Sequence, residues 1–245
     1  MKDVKNIDGG YWRRWMKSAS DSPSSTKPNK KDRSSSSTAD KTKKDVKQHR
    51  LSTLCQSSDK PLPLFVEKCI SYIEEHGMSF EGIYRVPGNR AHVNYLIKRF
   101  HEDPSIDFVS MDLPANVIAT ALKSFFQNLL EPLVPEQFHP LISEAIGKED
   151  RMDQMNEIRH IIGKLPPINQ HVLKRIISHI HRISENQQEN NMDPRNLSIC
   201  WWPTLTRPTI GSLDLLQAIS KPLELFVLTL IQHSHFFFPS PSPSL

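Results

Sequence analysis

The chain has 245 residues, 37% apolar and 24% charged, with a net charge of +4, which is enough to bury the core of one ordinary domain. Its longest apolar stretch, near 223–231, is far shorter than a bilayer span, and Cys55, Cys69 and Cys200 form no Cys-x-x-Cys pair. Reduced thiols in a soluble cytoplasmic protein are the expectation.

The positive charge belongs to one end. The first 50 residues carry 14 of the 31 basic side chains but only 6 of the 27 acidic ones. Residues 1–56 are rich in serine and lysine and show almost no apolar periodicity, so they read as a disordered basic tail. Within it Gly10-Tyr11-Trp12-Arg13-Arg14-Trp15-Met16-Lys17 interleaves aromatics with cations. That mixture suits an anionic membrane surface, and a plain linker is the other reading. Basic residues without an accompanying nucleic-acid fold argue against nucleic acid as partner.

From Pro61 the pattern is helical. Apolar residues at helical spacing predict a helix over 64–76, closed by Gly77, and a second over about 90–100, ended by Asp103-Pro104. Between them lies Glu81-Gly82-Ile83-Tyr84-Arg85-Val86-Pro87-Gly88-Asn89-Arg90. Gly82 and Gly88 shape this loop and Pro87 stiffens it, so Arg85 is displayed on a tight turn. Residues 106–109 read as extended, with Asp112 capping and Pro114 opening a helix over 114–130. Further helices follow over 141–146, from Asp150 to 163, and from Asn169, the last expected to be the longest and most central. His171, His179 and His181 lie along it and read as solvated or core-edge histidines. Helices over 212–219 and 222–234, the second opened by Pro222, complete the domain, and a Pro/Ser-rich tail occupies 239–245. The fold class is all-α.

The opening Pro61-Leu62-Pro63-Leu64-Phe65-Val66 and the run Gly82-Ile83-Tyr84-Arg85-Val86-Pro87-Gly88 resemble the start of a RhoGAP domain. Two later blocks keep the family's order and spacing. Leu122-Lys123-Ser124-Phe125-Phe126-Gln127-Asn128-Leu129-Leu130-Glu131-Pro132-Leu133 is similar to the lysine-bearing helix, and Asn196-Leu197-Ser198-Ile199-Cys200-Trp201-Trp202-Pro203-Thr204-Leu205 to the asparagine block. The resemblance implies a multi-helix bundle over 57–238 that presents Arg85 as an arginine finger. It implies that Lys123, Asn196, Gln127 and Pro203 contact a Rho-family GTPase in its GTP-bound state. It also implies that Asn196 helps to hold the finger loop, using its amide as donor and acceptor at once. Such a protein is a GTPase activator and not itself a GTPase. It needs no metal or cofactor of its own, since GTP and Mg²⁺ belong to the partner.

Taken singly, these residues have plainer uses: Arg85 capping the preceding helix or pairing with Glu81, Lys123 as a solvated lysine, Asn196 as a helix cap. The sequence also departs from the family pattern. Gln127 stands where many members have arginine, Pro87 replaces the serine of Arg-x-Ser-Gly, Leu130 replaces a proline, and Trp202 replaces the glycine before Pro203. A GTPase-binding module without catalytic effect is the alternative on the same fold, and the arginine at 85 favours catalysis.

Overall fold

A computed structural model describes residues 50–55, 62–209 and 213–239. The aromatic patch near residue 12 and all but the first residue of the C-terminal tail lie outside these. The described residues form α1 (Leu64–His76), α2 (Arg90–Glu102), α3 (Ala115–Gln127), α4 (His139–Ile146), α5 (Arg151–Lys164), α6 (Pro167–Glu185), the short α7 (Gln187–Asn190), α8 (Pro194–Thr206), α9 (Leu213–Gln232) and the short α10 (Ser234–Phe237). No extended strand occurs among them.

The core grows from the apolar stripes. On α1, Phe65, Val66, Cys69, Ile70 and Ile73 are buried, and on α3 the buried set is Val117, Ile118, Ala121, Leu122, Phe125 and Phe126 with two further alanines. The two stripes face each other. An unbroken series of aromatic contacts leaves this junction. Phe65 and Phe125 lie 6.1 Å apart, Phe125 and Phe126 5.3 Å, Phe126 and Trp201 6.3 Å, and Trp201 and Tyr84 4.8 Å. Fully buried aromatics of this size dominate core energetics, so the loop that carries Arg85 is built onto the core rather than appended to it.

Four details differ from the sequence expectation. Residues 106–109 form no strand: Phe108 has helical dihedrals, φ −70° and ψ −24°, and the chain tightens into a 3₁₀ turn at Val109–Met111, while the Lys68 ammonium donates to the Ser105 and Ile106 carbonyls at 3.1 and 2.7 Å. Asp112 caps no helix but sits at φ 50° at the end of that turn, and α3 starts at Ala115 after Pro114 without a side-chain cap. Pro222 opens no new helix. It lies inside α9, whose 20 residues make it one longer than α6. An internal proline costs about 3 kcal/mol, and full burial of Leu223, Phe226, Val227, Leu230 and Ile231, each worth roughly 1.5–3 kcal/mol, outweighs it. Finally, Leu51, placed with the tail by its sequence neighbourhood, forms a 3₁₀ turn and is buried against α6.

Candidate functional site

The Arg85 loop, residues 81–89, is fastened at its beginning, middle and end. At its start Gly82 N–H donates to the Asn190 carbonyl at 2.8 Å, and the Arg85 and Val86 amides both donate to the Gly82 carbonyl at 2.8 Å. Gly82 has φ +69°, a left-handed conformation natural to glycine. At its end Gly88 N–H donates to Thr120 Oγ1 at 2.8 Å, and Asn116 Nδ2 donates to the Pro87 carbonyl at 3.2 Å. A Cβ on Gly88 would stand 2.5 Å from Val117 Cα, so the loop lies directly on the backbone of α3. Asn89 then caps α2, its Oδ1 accepting from the Ala91 and His92 amides at 2.9 and 3.3 Å.

The middle is held by Tyr84. Its backbone is also left-handed, φ 69°, which is uncommon for a residue bearing a Cβ. The side chain points inward, 4% exposed, while Arg85 beside it is exposed. The phenol lies 2.6 Å from His179 Nε2, and His179 Nδ1 lies 2.7 Å from Glu74 Oε1. Glu74 in turn receives Arg175 Nη1 and Nη2 at 2.9 and 3.2 Å, and Arg182. Burial pushes the Glu74 carboxyl up, but hydrogen bonds from His179, Arg175 and Arg182 together outweigh it and hold it well below the usual carboxylate range. Burial lowers the His179 imidazole and keeps it neutral. The neutral ring then carries its proton on Nδ1, donated to Glu74, and accepts the Tyr84 hydroxyl proton at Nε2.

Lys123 and the Arg85 loop meet directly. The Lys123 ammonium donates to the Tyr84 carbonyl at 3.3 Å, and burial lowers its pKa. It is therefore not the freely solvated lysine that its polar helix face allows. Cys200 shares this surroundings: burial raises its thiol pKa, while the charges of Lys123 and Arg85 pull against that rise. Gln127 Nε2 reaches Thr204 Oγ1 at 3.5 Å. The two couplings, 123 with 200 and 127 with 204, set α3 and α8 side by side in the same direction, with the Arg85 charge near Cys200.

Asn196 stands half-buried on the first turn of α8. The cap of that helix is Asp193, whose Oδ1 accepts from the Asn196 amide at 2.6 Å, so the Asn196 side chain is not used for capping. Among the described residues no hydrogen bond joins that side chain to the Arg85 loop. Asn190, Thr120, Asn116, Lys123 and His179 supply those ties instead. Pro203 is exposed within the last turn of α8. The Arg85 guanidinium lies over Gly82, and Glu81, its nearest acid in sequence, accepts from Asn191 Nδ2 at 3.2 Å.

Three contributors are not signalled by motif or spacing. Asn190 is fully buried and donates to the Met78 and Ile183 carbonyls, both at 2.9 Å, while its Oδ1 accepts from the Met192 amide. His179 belongs to the interior, not to the core edge. Arg207, at φ 38°, closes the end of α3 by donating to the carbonyls of Gln127, Leu129 and Leu130 at 2.6, 2.7 and 3.1 Å.

The RhoGAP domain family model matches residues 63–210, which includes the Arg85 loop, α3 and all of α8. The chain belongs to the RhoGAP domain family. Over 186 residues this RhoGAP domain is 40% identical to Rho GTPase-activating protein 35 of Rattus norvegicus, a match covering 76% of the chain but 12% of that protein. It is 38% identical to Rho GTPase-activating protein 190 of Drosophila melanogaster over 72% of the chain and 12% of the relative. The chain thus spans about an eighth of the length of these relatives. Among solved structures, human Rho GTPase activating protein 15 superposes with a TM-score of 0.70 at 28% identity, covering 78% of this chain and 90% of that one. The BH domain from GRAF, the GTPase regulator associated with focal adhesion kinase, gives 0.65 at 27% identity over 72% and 93%. The helical fold is that of the RhoGAP domain. Among the described residues no helix is long and apolar enough to cross a membrane.

Proposed function

We propose that this RhoGAP domain stimulates GTP hydrolysis by a Rho-family small GTPase in its GTP-bound state, with Arg85 entering the partner's nucleotide site in trans as the arginine finger. The observation that carries this reading is an exposed arginine on a loop fastened at its beginning, middle and end. Hydrolysis spreads negative charge over the γ-phosphoryl oxygens, and a planar, permanently charged guanidinium delivered there lowers the barrier. A finger of this kind is worth roughly 10³–10⁵ in rate, about 4–7 kcal/mol. A fixed loop contributes because the cation's approach is settled before the partner arrives.

Lys123, Asn196, Gln127 and Pro203 form the contacting surface in this reading. Beside Arg85 and Cys200 in the chain stand Val86 and Ile199, 41% and 49% exposed, an apolar and cationic mixture suited to an interface. GTP and Mg²⁺ belong to the partner, and the domain brings no cofactor. The excess positive charge within residues 1–50 is suited to an anionic membrane surface. Deleting residues 1–49 is expected to abolish binding to acidic vesicles while leaving hydrolysis in solution unchanged.

The deciding experiment is single-turnover GTP hydrolysis by purified Rho-, Rac- and Cdc-type GTPases with the wild-type protein and with Arg85→Ala. A loss of about 10³-fold or more in acceleration with GTPase binding retained is the expected result. Binding without acceleration by either protein would leave a GTPase-recognising module instead.

A further inference from the structure

We propose that His179 is a positioning residue for Arg85, acting through the hydroxyl of Tyr84. The inference rests on the reading of Arg85 as the finger.

Tyr84 holds a left-handed backbone that a residue with a Cβ enters against a steric cost. That conformation lets one residue send its side chain into the core and the next into solvent. The edge-to-face ring contacts with Trp201 at 4.8 Å and His179 at 5.9 Å are less directional than a hydrogen bond. The hydroxyl bond at 2.6 Å adds a directional tie at the far end of the ring. His179, in turn, is not free to follow: its other nitrogen is tied to Glu74, which is clamped by Arg175 and Arg182 from the same face of α6. The ring is 0% exposed, so no water replaces either bond. On the opposite side the Tyr84 carbonyl is held by Lys123. The peptide that leads into Arg85 is therefore fixed from α1 and α6 through the side chain and from α3 through the carbonyl.

Loss of the hydroxyl bond leaves Tyr84 able to relax toward the right-handed region, which turns Arg85 away from its fixed approach. The helices carrying Lys123, Asn196 and Ile199 do not move with it. The effect falls on turnover and not on partner binding.

The test uses the full chain. Single-turnover hydrolysis by a GTP-loaded Rho-family GTPase is titrated with wild type, Tyr84→Phe, His179→Leu, His179→Gln, Arg85→Ala, and the double variant Arg85→Ala/Tyr84→Phe. Binding to the GTPase loaded with a non-hydrolysable analogue and the melting temperature are measured in parallel. Tyr84→Phe and His179→Leu are expected to lower the maximal rate by about 10- to 100-fold with half-saturation within about twofold. His179→Gln, whose amide oxygen offers an acceptor near the Nε2 position, recovers most of the rate. The double variant is no slower than Arg85→Ala, because the hydroxyl acts only through Arg85. Should His179→Leu fail to fold, Tyr84→Phe, which keeps the buried ring, decides the matter. A full maximal rate for Tyr84→Phe, or an added loss in the Arg85→Ala background, overturns the proposal. If Arg85→Ala itself leaves the rate at the wild-type value, it is the finger reading that fails, and this inference falls with it. A collapse with Arg85→Ala but not with Tyr84→Phe removes this inference alone.

Discussion

The Lys123 ammonium donates to the carbonyl oxygen of Tyr84, the peptide unit that precedes Arg85, at 3.3 Å. A lysine on the expected partner surface thus also supports the loop it stands beside. Lys123→Met keeps the aliphatic packing and removes the charge and the donor. We predict a loss of about 10- to 100-fold in kcat/KM with a stability loss of only about 1–2 kcal/mol. Titrated hydrolysis and denaturant unfolding of one preparation measure both.

Gly88 and Gly163 make opposite predictions for the same substitution. A Cβ at 88 meets Val117 Cα at 2.5 Å and the Asn116 carbonyl at 2.8 Å, so Gly88→Ala must push the loop off α3. A stability loss of about 1–3 kcal/mol is expected, together with a reduced maximal rate. A Cβ at 163 meets nothing within 4 Å, and this residue lies in α5. Gly163→Ala should stabilise by up to about 1 kcal/mol without affecting hydrolysis. Denaturant midpoints for the pair test the assignment of close approach.

Gln127 is exposed on α3, where an added cation has room to reach a partner without disturbing the core. Gln127→Arg is expected to lower the half-saturating concentration by about 3- to 10-fold, mostly through faster association, and to leave the maximal rate nearly unchanged. Raised salt should erase most of the gain.

Stability should fall on acidification in two stages. His179 is buried neutral, with its imidazole below the ordinary 6.5, so the unfolded chain takes up this proton first and stability declines as pH drops below about 6.5. Glu74 has a depressed carboxyl against an ordinary value of 4.5. Its contribution is complete above about 4.5 and is lost as pH falls toward the folded-state value. In thermal melts from pH 7 to pH 3, the gap between wild type and Glu74→Gln should be constant above about pH 4.5 and narrow progressively below it.

Periodicity located α1, α2, α3, α5 and α6 because each buries a stripe at helical spacing, and the order of the three motifs was legible without coordinates. The joint in α9 was misplaced because proline's local cost was weighed and the burial of Leu223 through Ile231 was not. The extended reading of 106–109 failed because the chain turns at Phe108 into Val109–Met111, beside the Ser105 and Ile106 carbonyls that accept from Lys68, tertiary bonds with no local signature. The ties on Arg85 were the least legible. His179 lies on the apolar stripe of α6 where a histidine looks marginal, and only its neighbours Glu74 and Tyr84, brought from elsewhere in the chain, give it partners. Asn190 looks like one of several polar residues in a connecting segment, and its burial is visible only in three dimensions.

The bond between Tyr84 and His179 joins residues 95 positions apart, and the one between Gly82 and Asn190 closes a still longer stretch. Contacts of such range close long loops and carry the corresponding entropic cost. A ribosome-bound chain complete only through α5 already contains Arg85 but has neither tie. The loop acquires these two ties only when α6 and α7 dock, so on the reading of Arg85 as the finger, competence to act is a by-product of finishing the fold.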